Sequence, residues 1–289
     1  MVLQGVYTAL VTPFCNGKVD YAAFEALLEA QIAGKVAGVV PVGTTGESPT
    51  LSTAEHIEVI AKTVEIVKGR CQVIAGSGAN CTAEAIHLTL EAKAAGADAS
   101  LQVTPYYNKP TPEGLYRHFS EIADKTELPV VLYNVPGRAG VPIPVDTIAR
   151  LAKNPLMVAV KEAGGSVDRV SEICDVCDIT VLSGDDSLTL PMMAVGAKGI
   201  ISVASNIIPG ELSEMVDFAL KGDFAKALVC HRKYYNLFRN LFVESNPIPV
   251  KAAMAMLGQI ALEYRLPLCE LTAAHNEVVR KTLADCGIL

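Results

Sequence analysis

The 289-residue sequence is short of charge: 19% of its residues are Asp, Glu, Lys or Arg, against 51% hydrophobic. That balance excludes the disordered, coiled-coil and low-complexity classes, which need high charge or sustained polar patterning. Positive charge is scarcer still. With 24 Lys and Arg against 31 Asp and Glu the net charge is -7, and no basic run offsets it. Neither a nucleic-acid backbone nor an anionic membrane is therefore an expected partner. Eight cysteines are too few for a disulfide scaffold and are expected to be reduced and mostly buried. Long hydrophobic runs are missing too. The most apolar stretch, Pro191 to Gly210, is broken by Lys198, Ser202, Ser205, Asn206 and glycines, short of a membrane span. The opening MVLQGVYTALVTPF has no basic residue before Lys18 and is closed by Pro13. It is expected to be a strand rather than a signal sequence, and the protein cytoplasmic.

Several cofactor signatures are absent as well. His56, His87, His118, His231 and His275 show no HxxxH or HxH spacing and join no Cys or carboxylate cluster, so no metal is expected. Gly76-Ser77-Gly78 lacks the third glycine of a dinucleotide fingerprint and is expected to be a loop. Cys174 and Cys177 form a CxxC inside a helical stretch, with no second pair to complete a zinc site, and are assigned to core packing.

What the sequence does contain is alternation. Eight Val- and Ile-rich runs recur: Gly5 to Thr12, Gly38 to Gly43, Gln72 to Gly76, Ala99 to Thr104, Pro129 to Asn134, Leu156 to Lys161, Ile179 to Ser183 and Gly199 to Val203. Amphipathic helical stretches lie between them, among them Tyr21 to Ala33, Thr53 to Val67, Ala83 to Ala95 and Pro112 to Asp124. This pattern predicts a parallel sheet buried on both faces and, with eight units, a closed (β/α)8 TIM barrel over residues 1–224. A doubly wound sheet is the rival, but the turn after the first run, PFCNGK, carries no nucleotide loop. The remaining residues, 225–289, are expected to form a small helical C-terminal domain.

In a barrel, catalytic groups stand at the carboxy-terminal strand ends and in the loops that follow. Those ends carry Gly43-Thr44-Thr45-Gly46-Glu47, Thr104-Pro105-Tyr106-Tyr107, Tyr133 to Arg138, Lys161-Glu162 and Ser183-Gly184-Asp185-Asp186. The strand period puts Met157, Ala159 and Lys161 on one face, which suits the interior. Burial there favours a neutral amine able to attack a ketone, although a salt-bridged lysine at a strand end is the alternative. Tyr133, on the neighbouring run, is close enough to pass protons if Thr44 or Tyr107 supports its hydroxyl; the alternative is a packed, structural tyrosine. The GTTG backbone can cradle a carboxylate, or be an ordinary turn. Asp185 and Asp186 would repel a phosphate where phosphate-binding barrels place one, so a small unphosphorylated acid is expected. Arg138 is then free to grip a carboxylate in a forked pair, unless it forms a surface ion pair.

Assembled, these motifs are similar to those of the pyruvate-dependent class I aldolases and, within them, the dihydrodipicolinate synthase branch. The likeness spans the barrel: TALVTPF, GTTGES at Gly43 to Ser48, TPYYNKP at Thr104 to Pro110, YNVPGRAG at Tyr133 to Gly140, VKEAGG at Val160 to Gly165, SGDD at Ser183 to Asp186 and GIISVASN at Gly199 to Asn206. The resemblance implies that Lys161 forms a Schiff base with pyruvate, without metal or other cofactor, and that the enamine adds to L-aspartate 4-semialdehyde. It casts Tyr133, Thr44 and Tyr107 as a proton relay, with Tyr107 reaching into a neighbouring subunit, so a homo-oligomer is implied, a tetramer being favoured over a dimer. Thr45 would hold the pyruvate carboxylate, Arg138 the semialdehyde carboxylate, and Val203 stands at the family's usual isoleucine position, loosening the pyruvate pocket. N-acetylneuraminate lyases and 2-keto-3-deoxy sugar-acid aldolases of the same superfamily are the alternative; they generally lack an arginine at the Arg138 position.

Members that respond to L-lysine use a polar interface pocket, matched here by Ser48, His56, Asn80, Glu84 and Tyr106. Pro49 and Thr53 depart from the residues often found there, which leaves an ordinary polar interface as the alternative.

Overall fold

The computed structural model describes all 289 residues. Eight parallel strands close into a barrel: β1 Gly5–Ala9, β2 Gly38–Val40, β3 Gln72–Gly76, β4 Ala99–Val103, β5 Val130–Asn134, β6 Met157–Glu162, β7 Thr180–Ser183 and β8 Gly199–Ser202. Each pairs with its neighbours in chain order, and β1 closes the ring against β8 through Gly5 opposite Gly199. A two-stranded hairpin, Phe14–Cys15 with Lys18–Val19, follows β1.

Helices α1 Tyr21–Ala33, α2 Thr53–Val67, α3 Thr82–Ala95, α4 Pro112–Thr126, α5 Val145–Leu151, α6 Val167–Val176, α7 Thr189–Ala194 and α8 Pro209–Leu220 surround the barrel. Their starts are written in the sequence. Ser52 and Glu55 form a reciprocal capping box on α2, Thr111 caps α4 ahead of Pro112, and Ser166 caps α6. Three more helices follow, α9 Phe224–Asn240, α10 Ile248–Met256 and α11 Ala273–Asp285. Their apolar residues, including Leu237, Phe238, Val250, Met254 and Leu283, join the same core cluster as the outer barrel layer. No helix is long and apolar enough to cross a membrane.

Strand alternation separates two apolar layers. Tyr7, Val40, Ile74, Leu101, Val131, Ala159 and Ile201 fill the barrel, while Val39, Val73, Val130, Val160 and Ile200 face the helices. Gly38 is required at its place, because a Cβ there would come within 2.6 Å of the Tyr7 ring and the Gln72 carbonyl. One expected position is corrected. Met157 lies in the outer layer, not the interior, because the β5–β6 register slips between Val130 and Val131 and the alternation restarts at Ala159. The cysteines depart from expectation as well: Cys286 alone is buried, while Cys15, Cys81, Cys174 and Cys269 are exposed and all eight are free. On α6 the buried stripe is Val170 and Ile173, so Cys174 falls one position past it and does not pack in the core.

Candidate active site

The β5–β6 register sets Tyr133 directly beside Lys161. Both side chains point into the barrel and are 6% exposed. The Lys161 Nζ atom lies 4.3 Å from the centroid of the Tyr133 ring. No carboxylate pairs with this amine: Glu162, next along the strand, turns to the opposite face and bonds Arg169 at 2.9 Å. Gly184, at the end of β7, leaves room for the lysine tail, since a Cβ there would stand 3.1 Å from Lys161 Cε and 2.7 Å from Ala163 Cβ.

The loop after β2 curls on itself through Gly46 N–H to Gly43 O at 3.1 Å, Glu47 N–H to Thr44 O at 3.1 Å and Ser48 N–H to Gly43 O at 3.3 Å. This leaves the N–H groups of Thr44 and Thr45 without a backbone acceptor, beside two hydroxyls. Adjacent free amides of this kind hold an anion well. The Thr45 hydroxyl oxygen accepts from Asn246 Nδ2 at 2.9 Å, and the Asn246 carbonyl accepts from Arg138 Nη2 at 3.1 Å. Asn246 thus joins the Thr loop to the arginine loop across the barrel mouth. It is buried, and its Oδ1 has no partner in the chain. The sequence reading missed it; the available signal was one amide residue ahead of Pro247 and Pro249 at the start of α10.

Arg138 sits on a short helical turn, Pro136–Ala139. Its guanidinium is exposed and uses one hydrogen bond, to Asn246, so the ion-pair alternative is not realised. The loop beneath it is fastened by a buried network. Asn134 Nδ2 donates to Glu162 at 2.7 Å, Ile143 N–H donates to Asn134 Oδ1 at 2.9 Å, and Arg169 bonds both Glu162 and the Ile143 carbonyl. A paired, hydrogen-bonded buried carboxylate of this kind rigidifies its surroundings.

Asp186 does not face the rim as a phosphate-repelling group. It is buried, accepts the Ser202 hydroxyl and the N–H groups of Val203 at 3.1 Å and Ala204 at 3.4 Å, and burial pushes its pKa up to about 6. Asp185 likewise turns inward on its own loop, accepting from Ser187 at 3.0 and 2.9 Å. The Asp186 carboxylate shapes the turn that holds Val203, which is buried just past the end of β8.

Thr44, Tyr133 and Arg138 line a cavity of about 430 Å³ that continues to Ser48, His56, Glu84 and Tyr106. Four of the five residues expected in a separate polar pocket, all but Asn80, therefore open in the single chain into the same cavity as Thr44 and Tyr133. Burial depresses the pKa of His56, whose Nε2 bonds the Gly76 carbonyl at 2.9 Å. A neutral imidazole donating there keeps Nδ1 as an acceptor. Asn80 donates to the Tyr106 carbonyl at 3.3 Å and accepts from Asn108 at 2.9 Å. Tyr107 stands apart: it is 92% exposed, outside the cavity of its own chain, on a backbone with φ 72°. No three His, Cys, Asp or Glu side chains gather as a metal-holding group.

Residues 2–286 match the dihydrodipicolinate synthetase family. A curated relative from Methanocaldococcus jannaschii, named 4-hydroxy-tetrahydrodipicolinate synthase, is 51% identical over 289 residues, all of both chains. A solved structure of the chloride-inhibited dihydrodipicolinate synthase from Acinetobacter baumannii, complexed with pyruvate, is 46% identical with a TM-score of 0.98 over 100% of both chains. Another, from Cyanidioschyzon merolae with lysine bound, is 40% identical with a TM-score of 0.96 over 99% of both chains.

Proposed function

The chain belongs to the dihydrodipicolinate synthetase family, and from that membership we propose that it condenses pyruvate with L-aspartate 4-semialdehyde through a Schiff base on Lys161. The observation that carries this reading is the buried pair of Tyr133 and a carboxylate-free Lys161 on the strand floor, beside a cavity that Tyr133 and Arg138 line. The Lys161 amine attacks the pyruvate carbonyl carbon, and loss of water gives the imine. The free amides of Thr44 and Thr45 hold the pyruvate carboxylate, with Val203 bounding the pocket. Loss of a methyl proton turns the imine into an enamine, whose carbon attacks the aldehyde. Arg138 grips the carboxylate of that second substrate with the part of its fork that Asn246 leaves open. The amino group of the semialdehyde then displaces Lys161 from the imine, which closes the ring and frees the enzyme.

Each proton transfer uses Tyr133, with Thr44 and Tyr107 completing the relay. Tyr107 points away from its own cavity, so in this reading it serves the cavity of a second copy, and the protein works as a homo-oligomer, a tetramer in preference to a dimer. The test is an assay of pyruvate with aspartate semialdehyde beside one with N-acetylneuraminate. Turnover of the first pair supports the reading, and efficient cleavage of N-acetylneuraminate instead would assign the chain to the sugar-acid side of the superfamily.

The far end of the cavity suits L-lysine as a feedback ligand. Glu84 pairs with the α-amino group, the acceptor nitrogen of His56 takes the side-chain ammonium, Asn80 and the Tyr106 hydroxyl meet the carboxylate, and Ser48 lines the same space. Tyr106 adjoins Tyr107, so an occupied pocket reaches the relay through one peptide unit. Millimolar L-lysine is expected to lower turnover, and Glu84→Ala to remove that response while keeping activity; indifference of the unmutated enzyme to lysine contradicts the assignment.

A further inference from the structure

A buried ion pair lies directly behind the Thr44–Thr45 loop. Glu47 and Lys251 are 1% and 0% exposed, and Lys251 Nζ bonds the Glu47 carboxylate. The ammonium also donates to the Thr12 carbonyl at 3.1 Å and sits 4.4 Å from the Phe14 ring centroid. The second Glu47 oxygen accepts the Arg265 N–H at 3.3 Å. Every charged atom here is spoken for inside the protein, and none reaches the cavity where the chemistry is proposed.

Three features tie this pair to the cradle rather than to packing alone. Glu47 adopts a left-handed backbone, φ 55° and ψ 36°, which a residue with a Cβ takes only when its surroundings enforce it. That conformation makes the turn in which Glu47 N–H bonds the Thr44 carbonyl, leaving the Thr44 and Thr45 amides free. The same Thr12 whose carbonyl receives Lys251 also donates its hydroxyl to the Gly46 carbonyl at 2.7 Å. One turn of α10 therefore grips the loop twice: Lys251 at Glu47, and Asn246, just ahead of the helix, at Thr45.

From this geometry we infer that Glu47, Lys251 and Thr12 are positioning residues that hold the Thr44–Thr45 amides on the carboxylate of the keto-acid substrate. The inference rests on the reading of that loop as the pyruvate cradle. It makes the C-terminal helices a working part of the site. Removing one member of a buried pair strands the other, so a loss of stability is expected from a single change at Glu47 or Lys251 and cannot by itself discriminate. The discriminating readout is the pyruvate concentration that half-saturates borohydride trapping, measured well below each variant's unfolding midpoint.

Three variants are compared: Glu47→Gln, which keeps shape and removes charge; the double variant Glu47→Gln with Lys251→Met, which leaves no buried charge stranded; and Thr12→Val, which keeps both charges and removes one hydroxyl. The half-saturating pyruvate concentration is expected to rise about 10-fold or more for the first two and about 3-fold for Thr12→Val. The kcat/KM for the aldehyde substrate should stay within about 3-fold of the parent, since the keto acid is by then held by its covalent bond to Lys161. Folded variants whose trapping saturates at the parent concentration overturn the inference, whatever their melting points. Failure of the unmutated protein to trap pyruvate at all overturns instead the reading of the loop on which it rests.

Discussion

Lys161 and Tyr133 stand on neighbouring strands, both buried and set opposite one another by the β5–β6 ladder. Arg138 and Tyr107 stand in the loops beyond β5 and β4, both exposed, the second on a left-handed backbone. The proposed bond-making pair is thus placed by the sheet itself, to the precision of a hydrogen-bonded register. The rim is placed by single contacts with other loops: the Asn246 carbonyl for Arg138, and for the Tyr107 turn the Asn80 amide on the Tyr106 carbonyl and the Asn108 amide on the Asn80 carbonyl. Floor and rim therefore answer to different changes. A substitution on the floor should stop the chemistry in any assembly state, whereas one at Arg138 on the rim should change which second substrate is used and how well.

The largest effect separates the two regions most sharply. Lys161→Ala removes the proposed nucleophile and is expected to lower kcat by about 10,000-fold or more in a steady-state assay, with no covalent pyruvate trapped. Retained turnover would remove the floor from the account altogether. Arg138→Ala comes next. Loss of a charge-assisted forked contact costs about 2 to 4 kcal/mol, or roughly 30- to 1,000-fold in kcat/KM for the semialdehyde. Pyruvate trapping should survive that change nearly intact, and a variant that no longer traps pyruvate would break the distinction between floor and rim.

The smallest effect concerns stability rather than chemistry. Arg265 bonds Glu55 twice, at 2.8 and 2.6 Å, and those bonds hold the Glu55 carboxyl down at about 2. A folded pKa below the unfolded value adds stability that is present above pH ~4.5 and lost as pH falls toward ~2. Because both side chains are partly exposed, Glu55→Gln should destabilise by about 1 to 2 kcal/mol at pH 7. In denaturant titrations the gap to the parent should close progressively below pH ~4.5, and a gap of constant size across that range contradicts the assignment.

The barrel was legible because its signals are local. Eight Val- and Ile-rich runs became eight strands, and Tyr21 to Ala33 and Thr53 to Val67 appear as helices with those ends. Lys161 and Tyr133 could be picked out for the same reason, each standing one residue before the end of its strand. What escaped depends on contacts distant in the chain or on a local break in period. Met157 was placed on the wrong face because a register slip interrupts the two-residue alternation, and no residue type announces it. Asp186 looked like a rim charge, yet its partners lie on the next strand end, 16 to 18 residues on. Lys251 meets Glu47 across 204 positions, and Asn246 meets Thr45 across 201. Such pairs follow from the closure of the barrel and the return of the C-terminal helices over its mouth.

The central claim is that the floor forms a covalent bond to pyruvate, and one measurement reads it directly. The unmutated protein is incubated with pyruvate and borohydride, its intact mass is taken, and the modified peptide is sequenced. The account predicts one reduced pyruvate adduct per chain, carried on the Nζ atom of Lys161. An unmodified chain, or an adduct on any other lysine, would contradict it.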